Sequence, residues 1–255
     1  MAAFNARMRQ RIFSQVSISQ QIFWWIFRIA IVLCLVFQKY STHEQLGLSL
    51  TVTLILSFLW DFNAFSFPQA SFLTKFSPKL QTFIDAQFIL TSIIGGYFDL
   101  YYKLWWWDSA CHVLGAIMLT FIGYELVCAV SEDEHNSHYT VPISIFVICS
   151  FCIAMTAGTI WEIMEFCDDQ IAGADSQHWD YSRLEDAKSI FYLHQAIPAG
   201  RYPIIDTMTD IICNLCGSIA GAIALAFFPY RQKGRQIDKD CEQYRLSHKN
   251  KKTGA

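Results

Sequence analysis

The chain alternates between long apolar runs and short polar connections, and this pattern predicts a bundle of membrane-spanning helices. A helix needs roughly 20 apolar residues to cross the hydrocarbon core of a bilayer. About six runs have that length, and we expect each to form one span. The fold class is therefore predicted to be all-α, a polytopic membrane helix bundle. The predicted spans are 20–38, 46–62, 80–101, 105–130, 141–166 and 205–228.

The connections carry features that are typical of a membrane surface. Residues 101–107 include two tyrosines and three tryptophans, an aromatic belt of the kind found at headgroup level. The longest loop, 167–204, contains the sequence Ser182-Arg-Leu-Glu185, which matches a helix capping box. Apolar residues follow it at helical spacing. We therefore expect an amphipathic helix over 182–195 that lies on the membrane surface before the last span.

Composition and charge divide the chain into three parts. Of its 255 residues, 53% are hydrophobic and 16% are charged, which indicates an integral membrane protein. Residues 20–229 are predicted to form a single transmembrane domain. A basic lead-in precedes it at 1–19, and a basic tail that we expect to be disordered follows at 230–255. Most loop lysines and arginines fall on the side of these two termini, so both termini are predicted to be cytoplasmic.

Other uses of these features find less support in the sequence. We expect no cleavable signal peptide, because the first apolar run is longer than a signal core. The basic tail suits anionic lipid headgroups better than nucleic acid. Most of the nine cysteines fall inside predicted spans, where they act as small apolar fillers. A thiolate metal site stays an alternative, because two cysteine pairs have C-x-x-C spacing: Cys149 with Cys152, and Cys213 with Cys216.

Three of the predicted spans contain pairs of ionisable residues. Because residues three or four apart share one face of a helix, each pair presents two polar side chains in one direction. Such groups are costly inside a bilayer unless a partner compensates them. In the six-span topology all three pairs lie in the outer third of the membrane, so we expect them to converge. The pairs are Asp108 with His112, Glu162 with Glu165, and Asp206 with Asp210.

A divalent metal ion, of a kind that the sequence does not specify, would satisfy such a cluster. Several carboxylates would repel one another if all were ionised, so protons or a cation must be held there. Helix bundles bind metals through inward-facing acidic and imidazole side chains. The predicted metal ligands are His112, Glu162, Glu165, Asp206 and Asp210. Water bound to such a metal is acidified and can attack an ester or phosphoester. The groups predicted to act as acid or base in that reaction are Asp108, Glu162 and Glu165.

Some of these polar residues have simpler explanations. Asp206 follows Pro203 at a helix start, where a carboxylate can cap the helix and meet its dipole. Asp108 has the same alternative. Asn214 lies one turn deeper than Asp210. It is expected to form a hydrogen bond between helices or to hydrogen-bond to a metal ligand without binding the metal itself.

Further charged residues lie in the first and third predicted spans. Arg28 is expected either to pair with a carboxylate of the cluster or to extend its charge to the membrane surface. Asp85 and Asp99 are expected to be boundary residues, since each lies near one end of its span.

The polar motifs also resemble a known family. In order and spacing they are similar to the uncharacterised bacterial inner-membrane proteins like YjdF, over roughly residues 80–228. The resemblance implies a bacterial inner-membrane location and supplies no reaction. A weaker similarity is to VanZ-like proteins, which are associated with glycopeptide antibiotic resistance. It is limited to Gly200-Arg201, Asp210-x-x-x-Asn214-x-x-Gly217 and the Asp108 and His112 pair. The motifs are Asp108-x-x-x-His112-x-x-Gly115, Trp161-Glu162-x-x-Glu165-Phe166 and Asp206-Thr207-x-x-Asp210-x-x-x-Asn214-x-x-Gly217.

Three functions are compatible with this set of residues. The first hypothesis is a metal-dependent hydrolase or transferase that acts on a lipid or lipid-linked substrate. The second is a proton- or cation-coupled transporter that uses the same carboxylates, although the sequence shows no inverted repeat. The third is a non-catalytic membrane scaffold whose polar residues only lock helices together. Membrane lipids are the expected partners in all three, and nucleic acid in none.

Overall fold

The computed structural model describes residues 16–37, 46–66, 78–131, 142–180, 188–198 and 200–227, together with four positions between 239 and 246. All regular elements within these six main ranges are helical. The predicted lead-in 1–19 and tail 230–255 lie almost entirely outside the described residues. The elements are α1 (Ile18–Phe37), α2 (Leu46–Leu56), α3 (Leu59–Ser66), α4 (Pro78–Phe88), a π-helical segment (Ile89–Tyr97), α5 (Leu100–Lys103), α6 (Trp107–Ser131), α7 (Ile143–Ala172) and α8 (Tyr202–Phe227).

Four of the described helices are long and apolar enough to cross a membrane: α1, α6, α7 and α8. The other two predicted spans are not continuous α-helices. The chain over 46–62 is divided into α2 and α3, and the chain over 80–101 passes from α4 into the π-helical segment. The structure therefore supports an all-helical membrane protein with four candidate spans, and the count of six stays a prediction.

Side chains from other helices satisfy the backbone at the break between α2 and α3. Arg28 of α1 donates to the carbonyl of Ser57 at 2.6 Å. Gln81 of α4 accepts from the amide of Trp60 at 3.0 Å and donates to the carbonyl of Leu56 at 3.3 Å. Non-helical backbone is tolerated at membrane depth only where protein groups replace the lost hydrogen bonds. Hydropathy along the sequence does not reveal such long-range partners.

Arg28 takes neither of its two predicted roles. Its side chain forms an ion pair with Asp61 of α3, which is not a residue of the predicted cluster, and Arg28 is only 3% exposed. The guanidinium carbon also lies 3.8 Å from the centroid of the Phe58 ring, which is a cation–π geometry. Arg28 therefore joins α1 to the α2–α3 break.

The prediction that Asp85 is a boundary residue is wrong. Asp85 is fully buried, and its Oδ1 accepts a hydrogen bond of 2.6 Å from Gln81. It lies close enough to Arg28 and Asp61 for their charges to act on it. Arg28, Asp61, Gln81 and Asp85 thus form one polar network, the Arg28 network, in which Asp61 is partly exposed and the other three are buried. Asp99, by contrast, does lie at an element boundary, between the π-helical segment and α5.

Helices α6, α7 and α8 pack against one another and form the part of the fold that carries the predicted site. Glycines allow the close approach. Gly217 of α8 lies against the backbone carbonyl of Val113 in α6, and Gly123 of α6 lies against the backbone of Ser150 in α7. Small residues at helix contacts are typical of membrane bundles, where close packing holds the helices together.

The surface helix predicted over 182–195 is not formed in the part that the structure describes. Residues 188–198 make turns and irregular backbone, while the capping-box residues 182–185 lie outside the described residues. The hydroxyl of Ser189 accepts from the amide of Phe191 at 3.4 Å and shares a 3.2 Å hydrogen bond with Thr209 of α8. A serine side chain that binds nearby backbone competes with helix formation. Over 188–195, the described part of the predicted helix, contacts with α8 take the place of helical structure.

Candidate metal centre

The centre of the site is His112, which is buried in the first third of α6. Its Nδ1 lies 3.5 Å from Oε1 of Glu162 in α7. Its Nε2 lies 3.5 Å from Oδ1 of Asp108, one turn earlier in α6, and 4.0 Å from Oδ1 of Asp210 in α8. One imidazole is thus surrounded by carboxylates from three helices. The structure therefore brings at least one member of each of the three predicted polar pairs together at His112.

The directions of the helices explain this convergence. Asp108 and His112 lie near the start of α6, Asp210 lies in the first half of α8, and Glu162 lies in the second half of α7. Because α7 runs opposite to its two neighbours, these three positions meet at one end of the bundle. Glu162 is buried, whereas the adjacent Trp161 is exposed, so the inward face of α7 carries the polar residue.

Two of the three separations, those of His112 from Glu162 and from Asp108, fit a bridging ion better than a direct hydrogen bond. Normal N–H···O bonds measure about 2.7–3.2 Å, shorter than the contacts of His112. Two ligands that bind one metal at about 2.0–2.2 Å lie roughly 3.0–3.5 Å apart. Two groups of residues each offer ligand atoms within 4.8 Å of one another: Asp108, His112 and Asp210; and His112, Glu162 and Glu165.

Some buried polar atoms at this site make no hydrogen bond among the described residues. Neither carboxylate oxygen of Glu162 makes a hydrogen bond, and neither does Nδ2 of Asn214. Unsatisfied polar atoms inside a protein call for an explanation such as an ion or a water molecule. Asn214 lies one turn beyond Asp210 and packs on Gly158 of α7, where an added Cβ would come 2.7 Å from Nδ2. Its supporting role stays a prediction.

Glu165 lies at the edge of the cluster. Its Oε1 accepts a 2.8 Å hydrogen bond from the indole of Trp161, one turn earlier in α7. The side chain is partly buried and is close enough to Asp108, Glu162 and His112 to interact with them electrostatically. One oxygen is therefore held by α7 itself, while the carboxylate as a whole belongs to the cluster.

Asp206 lies beside His178, a neighbour that the sequence analysis did not identify, and its role as a metal ligand stays a prediction. It falls outside both groups of possible ligands, and its Oδ2 lies 3.3 Å from Nδ1 of His178. Burial lowers the pKa of His178, but the hydrogen bond to Asp206 and the charges of nearby carboxylates raise it. The net result is a pKa above the ordinary histidine value. Asp206 still acts electrostatically on Glu162 and Asp210, so it borders the cluster.

Two residues of this region were missed by the sequence analysis. His178 lies in a long loop, and no spacing connects it to α8, so the sequence contains no signal for its contact with Asp206. Tyr101 was interpreted only as part of the aromatic belt. The charges of Asp108 and Glu165 act on its hydroxyl. Its ring occupies the place where a Cβ on Gly95 would lie, so the glycine in the π-helical segment makes room for it.

The cysteine alternative finds no geometric support in the described part of the chain. The possible ligand groups found there contain no cysteine. Cys213 is buried while Cys216 is exposed, and Cys152 is more exposed than Cys149. The two thiols of each pair therefore lie in different surroundings.

These features define the class: an integral membrane protein built of helices, with a buried histidine–carboxylate cluster at one end of its three-helix unit. The chain belongs to the DUF2238 family of predicted membrane proteins, which matches residues 21–231. It is also similar to an uncharacterized protein of Thermotoga maritima, with 23% identity over 155 residues. That match covers 61% of this chain and 64% of the relative, less than two thirds of its length. No solved structure matches the chain.

Proposed function

We propose that this membrane protein binds a divalent metal ion at the His112 cluster and uses it for hydrolysis or group transfer on a lipid or lipid-linked substrate. The observation that carries the proposal is the surrounding of one buried imidazole by carboxylates of three helices within 4.0 Å. The two unsatisfied oxygens of Glu162 support it, because a cation would satisfy both.

The donor set indicates which metals fit. One imidazole with several carboxylates suits Zn²⁺, Fe²⁺ or Mn²⁺ better than an ion that prefers thiolate ligands, such as Cu⁺. A metal-binding histidine usually donates its other N–H to a carboxylate, which fixes the ring. His112 has carboxylates next to both nitrogens, so either side can bind the ion while the other orients the imidazole. We propose two alternative ligand sets: Nδ1 of His112 with Glu162 and Glu165, or Nε2 of His112 with Asp108 and Asp210. Asp206, which borders the cluster, is proposed as a further ligand.

The position of the cluster supports a lipid substrate. It lies at the end of α6 that follows the aromatic residues 101–107, and such aromatic belts mark the headgroup level. Ester and phosphoester bonds of lipids lie at that depth. A bound divalent metal supplies an acidified water that can attack such bonds. Asp108, Glu162 and Glu165 are the groups proposed to accept or return the proton.

The finer identity and topology belong to the same proposal. Membership of the DUF2238 family is consistent with the resemblance to YjdF-like proteins, whereas the similarity to VanZ-like proteins is not shown by the comparisons. We place the protein in a bacterial inner membrane with six spans and both termini in the cytoplasm.

Metal analysis of the purified protein tests the proposal. After dialysis against Zn²⁺ or Mn²⁺, the parent protein should retain the ion and hydrolyse a lipid phosphate. Glu162→Gln and Asp210→Asn should lose both the ion and the activity. Asp168→Asn is the matched control, because Asp168 is an exposed carboxylate on the same helix as Glu162.

Other results would favour the other functions. A parent protein that holds no metal, but takes up protons or cations into vesicles in a pH-dependent way, would favour a transporter. Variants that change only the thermal stability would favour a scaffold.

A further inference from the structure

The segment 173–180, which we name the docking segment, connects the end of α7 to the start of α8 by side-chain contacts. Gly173 ends α7 with a φ of +68°, a conformation that glycine adopts without strain. The carboxylate of Asp169 then accepts from the amides of Ser176 and Gln177, at 2.7 and 2.9 Å. The Gln177 side chain donates to the hydroxyl of Thr207 in α8 at 2.6 Å. The docking segment is thus fixed to both helices.

These contacts hold His178 in a defined and strained position. Its φ is +52°, which is uncommon for a residue that has a Cβ. The imidazole is nearly buried and lies edge-on to two tyrosine rings, with centroids 5.3 Å from Tyr102 and 6.0 Å from Tyr202. Backbone strain persists only where surrounding structure enforces it, and it gathers at functional positions.

The imidazole is directed at Asp206. An ionised carboxylate only accepts hydrogen bonds, so Nδ1–H of His178 is the donor and Oδ2 of Asp206 the acceptor, at 3.3 Å. This bond uses one oxygen of the carboxylate and leaves Oδ1 available to a cation. Asp206 lies one turn before Asp210, on the same face of α8. The restraint on Asp206 therefore acts at the edge of the metal centre.

We infer that His178 is a positioning residue of the metal centre, which fixes the Asp206 carboxylate through Nδ1 and makes the docking segment part of the site. The inference rests on the proposed function, since it concerns how the carboxylates around the proposed metal are held in place. Hydrogen-bond partners of metal ligands typically change metal affinity by about 10- to 100-fold when they are removed. An effect of that size distinguishes positioning from a distant structural contact.

Metal affinity of the full chain in detergent micelles tests the inference, with Zn²⁺ and Mn²⁺ alone as probes. We expect His178→Phe to raise the Kd about 10- to 100-fold, because it keeps a ring and loses the donor. His178→Gln should recover most of the affinity, since its amide can donate to Asp206. Trp179→Phe is the matched control. It changes an exposed residue of the same segment and should leave the Kd unchanged.

A double-mutant cycle separates positioning from general damage to the fold. Asp206→Asn should weaken binding by itself, and adding His178→Phe to it should cause no further loss, because the acceptor charge is already gone. Losses that add independently would overturn the inference, as would a failure of His178→Gln to recover affinity.

The failure of the inference is distinguishable from that of the proposed function. A parent protein that binds the metal, with a His178→Phe variant of equal or tighter Kd, would overturn the inference alone. A parent protein that binds neither Zn²⁺ nor Mn²⁺ would overturn the proposed function, and the inference with it.

Discussion

A buried histidine with carboxylates on both sides is the residue on which the site depends. His112 is 9% exposed and offers one nitrogen to Glu162 and the other to Asp108 and Asp210. Polar groups at membrane depth are costly and persist where they have partners or a function. No other described histidine has carboxylates from three helices around it, so His112 is the most direct place to test metal binding.

The first prediction compares two histidines. His112→Gln removes the central ligand and should raise the metal Kd by at least about 100-fold, beyond the range expected for a supporting residue. His194→Gln changes an exposed histidine and should leave the Kd unchanged. Equilibrium dialysis with chelator competition measures both. Equal affinities in the two variants would exclude His112 as a ligand.

A second prediction concerns the packing of Asn214 in α8 against Gly158 in α7. In Gly158→Ala the new methyl group would come within 2.7 Å of Nδ2 of Asn214 and displace that side chain. Overpacking of this kind costs about 1–3 kcal/mol. Thermal unfolding in detergent should show the loss, and Asn214→Ala in the same chain should restore much of it. An unchanged melting temperature in Gly158→Ala would contradict this packing.

At the scale of the helices, the close approach of α6 and α8 sets the distance between the ligands. Gly217 lies against the α6 backbone, and Gly221, one turn later, lies against Thr120. Asp210 and Gly217 share α8, so the depth of this contact determines how near Asp210 comes to His112. The glycines therefore allow close helix packing and, through it, set the distance between Asp210 and His112.

The third prediction follows from that contact. In Gly217→Ala, a Cβ would meet the Val113 carbonyl and come 2.8 Å from Cβ of Ala116, so the helices must separate. We expect a loss of about 1–3 kcal/mol in stability and a weaker metal affinity. Ala220→Leu adds volume to an exposed position of the same helix and serves as the control. If both variants melt like the parent, the close helix contact is wrong.

At the scale of the molecule, two ionisable clusters among the described residues have different consequences. The Arg28 network joins α1, α3 and α4, whereas the His112 cluster joins α6, α7 and α8. Gln87, two residues after Asp85 in α4, donates a 3.0 Å hydrogen bond to the carbonyl of Cys111 in α6. This bond connects the helices of the Arg28 network to those of the His112 cluster. The first group stabilises the fold around a broken helix, and the second carries the proposed chemistry.

The fourth prediction separates these roles. Asp61→Asn leaves the buried Arg28 charge without its ion-pair partner and should cost about 1–3 kcal/mol, less than a fully buried pair because Asp61 is partly exposed. Metal affinity should stay unchanged. Adding Arg28→Met should restore stability, since the unpaired charge is then gone. A change in metal affinity in Asp61→Asn would show that the two groups are coupled.

The fifth prediction addresses the topology of the chain. With six spans and both termini in the cytoplasm, a green fluorescent protein fused after residue 255 should fluoresce, and alkaline phosphatase fused there should be inactive. The opposite pair of results would place the C-terminus outside and would contradict that topology.

Much of the site could be predicted from the sequence because its signals are local. Spacings of three and four residues place Asp108 with His112, and Asp206 with Asp210, on single helix faces. Alternating span directions then bring the pairs to one end of the bundle. The structure confirms that His112, Glu162 and Asp210 lie together, while their roles as ligands and acid or base groups stay predictions.

The sequence by itself determined the helical class, the long apolar helices and the set of ionisable residues, since hydropathy and helix periodicity depend on neighbours along the chain. Only the tertiary structure decided the partner of Arg28, the break between α2 and α3, and the contact of His178 with Asp206. The physical reason is distance along the chain. The Arg28 and His178 contacts join residues 33 and 28 positions apart, and such pairs leave no periodic trace in the sequence.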